Sequence, residues 1–196
     1  MRNGTLLAAL DLGSNSFRLE IGRHEKGLIE RVEYLKETVR QGAGLDENNV
    51  LSQEAMQRGW DCLERFNERL AGFRKEQIRA IGTQTLRQAV NRDVFVARAL
   101  EILGVPVDVV SGREEARLIY QGAASLLSRS NERRLVVDIG GRSTELILGK
   151  NLDAHQLQSF QLGSVTWSMR YFPKGQFTPE AFRQADVAAK AVLDEA

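Results

Sequence analysis

The chain has 196 residues, of which 42% are apolar and 27% charged, and its formal net charge is +1. This composition is typical of a globular protein of one or two domains, and the near-neutral charge argues against nucleic acid as a partner. One cysteine and two histidines exclude an internal disulfide and argue against a zinc site or a histidine-based triad. We interpret the cysteine, Cys62, as a small core residue rather than a nucleophile.

No apolar run reaches the length of about 20 residues that a membrane-spanning helix needs. The N-terminal segment also lacks a signal-peptide core, because the short apolar stretch after MRNGT runs directly into Asp11. We therefore expect no membrane span and a cytoplasmic location.

The first part of the chain predicts a β-meander followed by a helix. Apolar periodicity predicts strands over 5–11, 17–23 and 28–38, and a Gly/Asn-rich loop follows at 41–49. The next helix has its N-cap at Ser52. Its apolar residues recur at helical spacing and are expected to be core: Met56, Trp60, Leu63, Phe66 and Leu70.

Two further strands, at 77–82 and 107–110, are predicted to enclose helices at 83–91 and 93–103. A lone arginine is most often a surface charge. Arg87, however, follows a strand end, where a guanidinium is well placed to contact a phosphate.

The helix over 111–127 begins with two glutamates in contrasting positions. Ser111 and Glu114 have the spacing of a capping box, so Glu114 is expected to reach back to the N-cap amide. Glu115 has no such task and falls on the apolar, inward face of the helix. Burial would raise its pKa toward the range of a general base; the alternative is an acid at the rim of the core without a chemical role.

A polar, charged segment at 128–134 is the predicted domain boundary, and the hairpin sequence DIGGRSTELILG follows at 138–149. An apolar strand ends at Asp138, a glycine-rich turn follows, and the next strand begins near Glu145. Glycines let backbone N–H groups approach an anion closely. Because a carboxylate is a hard oxygen ligand for Mg²⁺, the turn suits a phosphate together with its metal ion.

The segment DLGSNSFRLEIG, residues 11–22, repeats this pattern and shares Asp, Gly, Ser, Leu and Gly with 138–149 at the same offsets. A single turn of this kind is common in hairpins that bind nothing. A matched pair, each copy preceded by an apolar run, favours two phosphate-binding hairpins. We expect two similar half-structures that face each other across a cleft.

The last part of the chain predicts a strand over 154–162 and a helix over 163–172. The start of this helix could offer free N–H groups to a phosphate, although most helix starts do not. A final helix is predicted from Pro179, with Thr178 as its N-cap, to Ala196.

Four segments together resemble the exopolyphosphatase and guanosine pentaphosphate phosphohydrolase family, and they follow its order: DLGSNSFRLEIG, GTQTLRQA, SGREEARLIYQG and DIGGRSTELILG. The second segment is more similar to the exopolyphosphatase branch. The resemblance implies an α/β fold of the actin, sugar-kinase and acetate-kinase superfamily, with two ribonuclease-H-like half-domains and the active site between them. On this basis residues 1–127 form the first half-domain, and 128–196 form the start of a truncated second one.

The resemblance also implies roles for individual residues. Glu115 matches the catalytic base, which deprotonates a water for attack on the terminal phosphorus. Asp138 and Glu145 match acids implicated in catalysis and Mg²⁺ binding, and Asp11 matches the metal-binding acid of the first hairpin. Arg87 matches a phosphate-contacting arginine. The phosphate-cradling turns are matched by Ser14, Asn15, Ser16, Gly140, Gly141, Ser143 and Thr144.

The chain departs from the family in two respects. Arg142 stands where the family has a third glycine; it adds a phosphate contact if a positive φ is not needed, and costs about 1 kcal/mol if it is. The chain is also shorter than family members and lacks the last elements of the second half-domain, so we expect a fragment or a shortened protein. An incomplete second lobe could leave its activity weak or absent. A homodimer is expected only of the full-length protein.

Three functions are consistent with these features. The first is Mg²⁺-dependent hydrolysis of the terminal phosphate of inorganic polyphosphate, and the second is hydrolysis of guanosine pentaphosphate by the same groups. Either would make the protein a phosphoanhydride hydrolase. The third function belongs to another class: a regulatory module of the actin type that binds a nucleotide but does not hydrolyse it. The sequence shows no adenosine-site motif, which argues against this third function.

Overall fold

The computed structural model describes residues 2–194, which form two compact units, one ending at Val110 and the other beginning at Ser111. Each unit is built on its own β-sheet. Among the described residues, no helix combines the length and the apolar character needed to cross a membrane.

The sheet of the first unit has five strands. β1 (Thr5–Leu12), β2 (Ser16–Glu25) and β3 (Leu28–Thr38) form an antiparallel meander, and β4 (Ile78–Gly82) and β5 (Val107–Val109) extend it with parallel pairing beyond β1. The order across the sheet is β3-β2-β1-β4-β5. This is the order of a ribonuclease-H-like half-domain, so the predicted strands and fold of this unit are confirmed.

Three helices accompany this sheet: α1 (Gln53–Arg69), α2 (Gln84–Gln88) and α3 (Arg92–Leu103). The predicted N-cap of α1 is confirmed, since Ser52 Oγ accepts a hydrogen bond from the N–H of Ala55. The helix predicted over 83–91 is shorter in the structure and ends at Gln88.

The core of the first unit lies between one face of the sheet and the long helices α1 and α3. Trp60 of α1 stacks on Phe95 of α3 with ring centroids 5.8 Å apart. Cys62 is fully buried, and burial raises the pKa of its thiol to about 12, which agrees with a core role. In β1, Leu10 and Leu12 are buried in this core, so Asp11 between them faces the opposite side of the sheet.

The sheet of the second unit is a three-stranded antiparallel meander of β6 (Arg133–Ile139), β7 (Thr144–Lys150) and β8 (Asp153–Phe160). Two helices follow, α5 (Ser164–Tyr171) and α6 (Pro179–Asp194). This order matches the opening part of a second, incomplete ribonuclease-H-like half-domain. The last residues of the predicted final helix, 195–196, lie outside the described residues.

The helix α4 (Gly112–Ser125) packs on the sheet of the second unit. Its buried residues Ala116, Tyr120 and Ala124 form one cluster with Ile147 of β7. The assignment of residues 1–127 to one half-domain stays a prediction. In the structure, the boundary between the two compact units lies before α4, because α4 packs on the second sheet. The physical reason is that the apolar stripe of α4 needs a sheet to cover, whereas the polar segment 128–134 only connects α4 to β6.

Candidate phosphate and metal site

The two glycine-rich hairpins share the same strand register and turn length. In each, four residues lie between the last strand pairs, 13–16 in the first hairpin and 140–143 in the second. The pairing of β2 and β7 with the strand that follows each of them is also irregular at equivalent positions, immediately before Gly22 and immediately before Gly149. The sequence repeat is therefore a structural repeat that extends to the irregularity in strand pairing.

The first glycine of each turn permits a close approach of the backbone. A Cβ atom at Gly13 would lie 2.9 Å from the carbonyl oxygen of Ser16, and one at Gly140 would lie 3.0 Å from that of Ser143. Neither glycine has a positive φ, and Arg142 has none either. The arginine in place of a third glycine therefore costs no backbone strain.

The second hairpin brings two acids together. Asp138 on β6 lies directly opposite Glu145 on β7, and residues so paired project from the same face of a sheet with Cβ atoms about 4.5–5.5 Å apart. Glu145 is only 1% exposed, and its Oε1 atom accepts a hydrogen bond of 2.8 Å from Ser159 Oγ. Asp138 is exposed. One buried and one exposed acid thus occupy opposed positions on the same face of the sheet.

Glu115 belongs to the helix that covers this same face. Ile147 contacts α4 and lies two residues after Glu145, so both project from one side of β7. Glu115 is half-buried and precedes Ala116, the first buried residue of the α4 stripe. The three predicted catalytic acids are therefore all in the second unit.

The neighbouring acid, Glu114, behaves differently from the prediction. The hydroxyl of Ser111 accepts a hydrogen bond from the Glu114 N–H, which confirms the N-cap. The predicted return bond of a capping box is wrong, however, because the Glu114 carboxylate binds the Arg117 guanidinium in a bidentate pair of 2.6 and 2.8 Å. This pair lowers the pKa of Glu114 and keeps it ionised at the surface.

The acid of the first hairpin has a partner of opposite charge. Asp11 lies opposite Arg18 on β2, and Arg18 Nη1 donates to Asp11 Oδ2 at 2.7 Å. Arg18 occupies the position that Glu145 has in the second hairpin. An alignment of the two repeats places Arg18 opposite Glu145, so the sequence alone could have shown that the first hairpin carries a cation where the second carries an acid. The role of Asp11 as a metal ligand stays a prediction. A metal ion at this carboxylate would have to share it with Arg18.

The first turn is fixed by the segment that follows β3. The carbonyl of Ser14 accepts from the N–H of Gly42 at 2.7 Å, and that of Asn15 accepts from Arg40 N–H at 2.9 Å. Ser14 and Ser16 are buried, and Asn15 is exposed. Two backbone hydrogen bonds thus hold the turn in place, and its phosphate contacts stay predictions.

The second turn is fixed in the same way by the start of α5. The carbonyl of Gly140 accepts from the N–H of Ser164 at 2.9 Å, and that of Gly141 accepts from Val165 N–H at 2.8 Å. The suggestion that this helix start offers free N–H groups to a phosphate is therefore wrong for these two residues. The N–H groups of Ser164 and Val165 donate to carbonyls of the turn instead.

Gly163, just before α5, is expected to be essential for the packing of the start of α5 against the second turn. A Cβ atom there would lie 2.4 Å from both Cα and N of Arg142. Its φ of −142° suits any residue, so Gly163→Ala would act by steric overlap alone. We expect a loss of about 1–3 kcal/mol in the free energy of unfolding, measured with urea.

Gly122→Ala in α4 is the matched control, because nothing lies within 4 Å of its added Cβ. This change should raise stability by about 0.5–1 kcal/mol, since alanine favours a helix interior. Equal unfolding curves for Gly163→Ala and the unsubstituted chain would contradict the proposed steric role.

The remaining residues of the second turn are largely shielded from solvent. Ser143 and Thr144 are buried, and the Thr144 hydroxyl donates to the carbonyl of Leu162. Arg142 is half-buried, and burial lowers the pKa of its guanidinium. Phosphate contacts by these residues stay predictions.

Arg87 lies in the first unit, at the edge of the sheet where β4 ends. Its Nη1 donates to the carbonyl of Val110 at 2.7 Å, and its Nε donates to Gln84 Oε1 at 3.1 Å. Thr83, at the start of this segment, donates through its N–H to the carbonyl of Leu12, next to the first turn. To contact a phosphate as predicted, the Arg87 guanidinium would have to give up one of these hydrogen bonds or use another of its N–H groups.

Within residues 2–194, no group of three or more His, Cys, Asp or Glu side chains is placed to hold a metal ion. Mg²⁺ in phosphoryl-transfer sites characteristically takes one or two carboxylates and completes its shell with water and substrate phosphate. The donor set of Asp138 and Glu145 fits that pattern. These two residues are therefore the candidate Mg²⁺ ligands of this chain.

Two ribonuclease-H-like units, the second incomplete and each with a glycine-rich hairpin, place the chain in the actin-like class of α/β folds. The sequence matches the Ppx/GppA phosphatase family over residues 20–196, and the chain belongs to that family.

A curated relative supports the same assignment. A protein of Vibrio atlanticus named guanosine-5'-triphosphate,3'-diphosphate pyrophosphatase is 52% identical over 188 residues, which are 96% of this chain and 38% of the relative. The chain thus spans less than half of that protein.

Solved structures extend the comparison to three dimensions. An exopolyphosphatase-like protein superposes with a TM-score of 0.91 at 29% identity, over 100% of this chain and 62% of the other. An exopolyphosphatase from Cytophaga hutchinsonii superposes with a TM-score of 0.88 at 26% identity, over 96% and 61% of the two chains.

Proposed function

We propose that this chain carries the chemical centre of a phosphohydrolase that removes the terminal 5'-phosphate of guanosine pentaphosphate, guanosine 5'-triphosphate 3'-diphosphate. The observation that carries the proposal is the pair of opposed acids, Asp138 and Glu145, on a glycine-rich hairpin of a Ppx/GppA family member. The substrate is suggested by the name of a relative that is 52% identical.

In the proposed reaction, water attacks the terminal phosphorus, the bond from that phosphorus to the bridging oxygen breaks, and orthophosphate and guanosine tetraphosphate leave. Glu115 orients the water and accepts its proton. Asp138 and Glu145 would hold Mg²⁺, which would supply positive charge beside the phosphate oxygens. The turn residues Gly140, Gly141, Arg142, Ser143 and Thr144 position the phosphate.

In the first unit, phosphate contacts are proposed for Ser14, Asn15, Ser16 and Arg87. Arg18 adds a cation beside the first turn, paired with Asp11. Because phosphoryl transfer depends mainly on positioning and charge neutralisation, such rigidly held contacts are what the reaction requires.

Inorganic polyphosphate is the second candidate substrate. It is the substrate that the sequence segment GTQTLRQA favours, and structural neighbours carry the name exopolyphosphatase. The pentaphosphate is preferred because the protein with that name is nearly twice as similar in sequence, at 52% against 29% identity. Membership of a phosphatase family also counts against a non-hydrolytic regulatory module.

Competition between the two substrates tests the proposal. Phosphate release is measured with Mg²⁺ at equal concentrations of terminal phosphate, with chelated metal as the blank and GTP as a substrate that lacks the 3'-diphosphate. We expect a higher kcat/KM for guanosine pentaphosphate than for polyphosphate. A higher value for polyphosphate would reverse the substrate assignment, and no release from any of the three would reject hydrolysis by this chain.

A further inference from the structure

We propose that Ser159 is a positioning residue that orients the Glu145 carboxylate and thereby sets the affinity of the acid pair for a divalent cation. The inference deepens the proposed function, because it concerns the same candidate metal site. It assigns a task to a residue that the sequence motifs leave out.

Three residues form a single row across the sheet of the second unit. Asp138 on β6 pairs with Glu145 on β7, and Glu145 pairs in turn with Ser159 on β8. Residues paired in this way project from one face. The hydroxyl of Ser159 uses this placement to donate to Glu145 Oε1 at 2.8 Å.

A hydrogen-bond donor matters to Glu145 because this side chain is 1% exposed. A buried carboxylate is costly unless hydrogen bonds or opposite charges compensate for the lost water. A donor fixed on the neighbouring strand also selects one orientation of a side chain that otherwise has several rotamers. Ser159 thereby restricts the orientation of the Glu145 carboxylate before a cation arrives.

Ser159 itself is an exposed residue, whereas its partner is buried. Removal of its hydroxyl therefore leaves no cavity in the core, and Ser159→Ala changes the hydrogen bond with little effect on packing. Residues that hydrogen-bond to metal ligands in this way characteristically change metal affinity by 10–100-fold when they are removed.

The primary test is binding of Mn²⁺ to the 196-residue chain, followed by the electron paramagnetic resonance signal of the free ion. Ser159→Ala is expected to weaken binding by about 10–100-fold. Ser159→Thr keeps the hydroxyl and should restore affinity. Ser125→Ala is the matched control, because it removes a hydroxyl that binds only the Gly122 carbonyl of its own helix.

Phosphate release from guanosine pentaphosphate is the second readout. Ser159→Ala should raise the Mg²⁺ concentration that gives half-maximal rate and leave the rate at saturating Mg²⁺ close to that of the unsubstituted chain. Loss of rate at every Mg²⁺ concentration without rescue by threonine would indicate a merely structural role and overturn the proposal.

Failure of this inference differs from failure of the proposed function. Unchanged Mn²⁺ affinity in Ser159→Ala, or no Mn²⁺ binding by the unsubstituted chain, overturns the role of Ser159. Normal Mn²⁺ binding that weakens in Ser159→Ala, with no phosphate release by any variant, supports that role and rejects hydrolysis by this chain.

Discussion

Glu115→Gln is expected to lower the rate of phosphate release by about 10²–10⁴-fold, the usual contribution of a general base. The amide is nearly isosteric with the carboxylate but cannot accept the proton of the attacking water. Because Glu115 is half-buried beside the α4 stripe, a change that keeps its shape should leave the packing of the helix intact. Steady-state release of orthophosphate and the circular dichroism spectrum measure the two effects.

Glu114→Gln provides an adjacent control. Its carboxylate is committed to Arg117 at the surface, and exposed pairs of this kind contribute little to stability. We expect its rate to stay close to that of the unsubstituted chain. A large loss in Glu114→Gln together with full activity in Glu115→Gln would exchange the roles of the two acids.

Asp138→Asn is expected to reduce the Mg²⁺-dependent rate by about 10²–10³-fold, a size typical for the loss of one electrostatic group in an active site. Without this charge, Glu145 is the only carboxylate left in the opposed pair. The exposed position of Asp138 means that the fold should tolerate the amide. A titration of the rate with Mg²⁺ should show a higher metal requirement.

Asp153→Asn is the matched control for this experiment. Asp153 is an exposed acid of the same sheet, and it lies opposite Lys150 at the other end of β7. Its removal should change neither the rate nor the Mg²⁺ requirement. If both variants lose the same amount of activity, the effect of Asp138→Asn reflects the charge of the unit rather than a metal site.

Local pattern was sufficient to predict most of the fold. The hairpin of β1 and β2 and that of β6 and β7 join strands that are neighbours in sequence, so apolar alternation and a glycine-rich turn define them. The N-cap at Ser52 is likewise a contact between residues three apart. The acids Asp138 and Glu145 were found because they flank one such turn.

Contacts between distant residues were harder to predict. The partner of α4 depends on which sheet its apolar stripe covers, and helical periodicity alone does not identify that sheet. The bond from Ser159 to Glu145 depends on the register of β7 and β8, which the irregularity before Gly149 shifts. The N–H groups at the start of α5 bind a turn more than 20 residues earlier, and helix periodicity does not reveal such a partner.

The two units differ greatly in the size of their cores, and this difference has a consequence for dynamics. The first unit has a large apolar cluster around Phe17, Trp60 and Phe95, whereas in the described part of the second unit the buried cluster comprises Ala116, Tyr120, Ala124 and Ile147. Segments with few buried apolar contacts open with a lower free energy. Amide hydrogens of β6 to β8 should therefore exchange with solvent well before those of β1 and β4, and the acids would lose their geometry while the first unit is still folded.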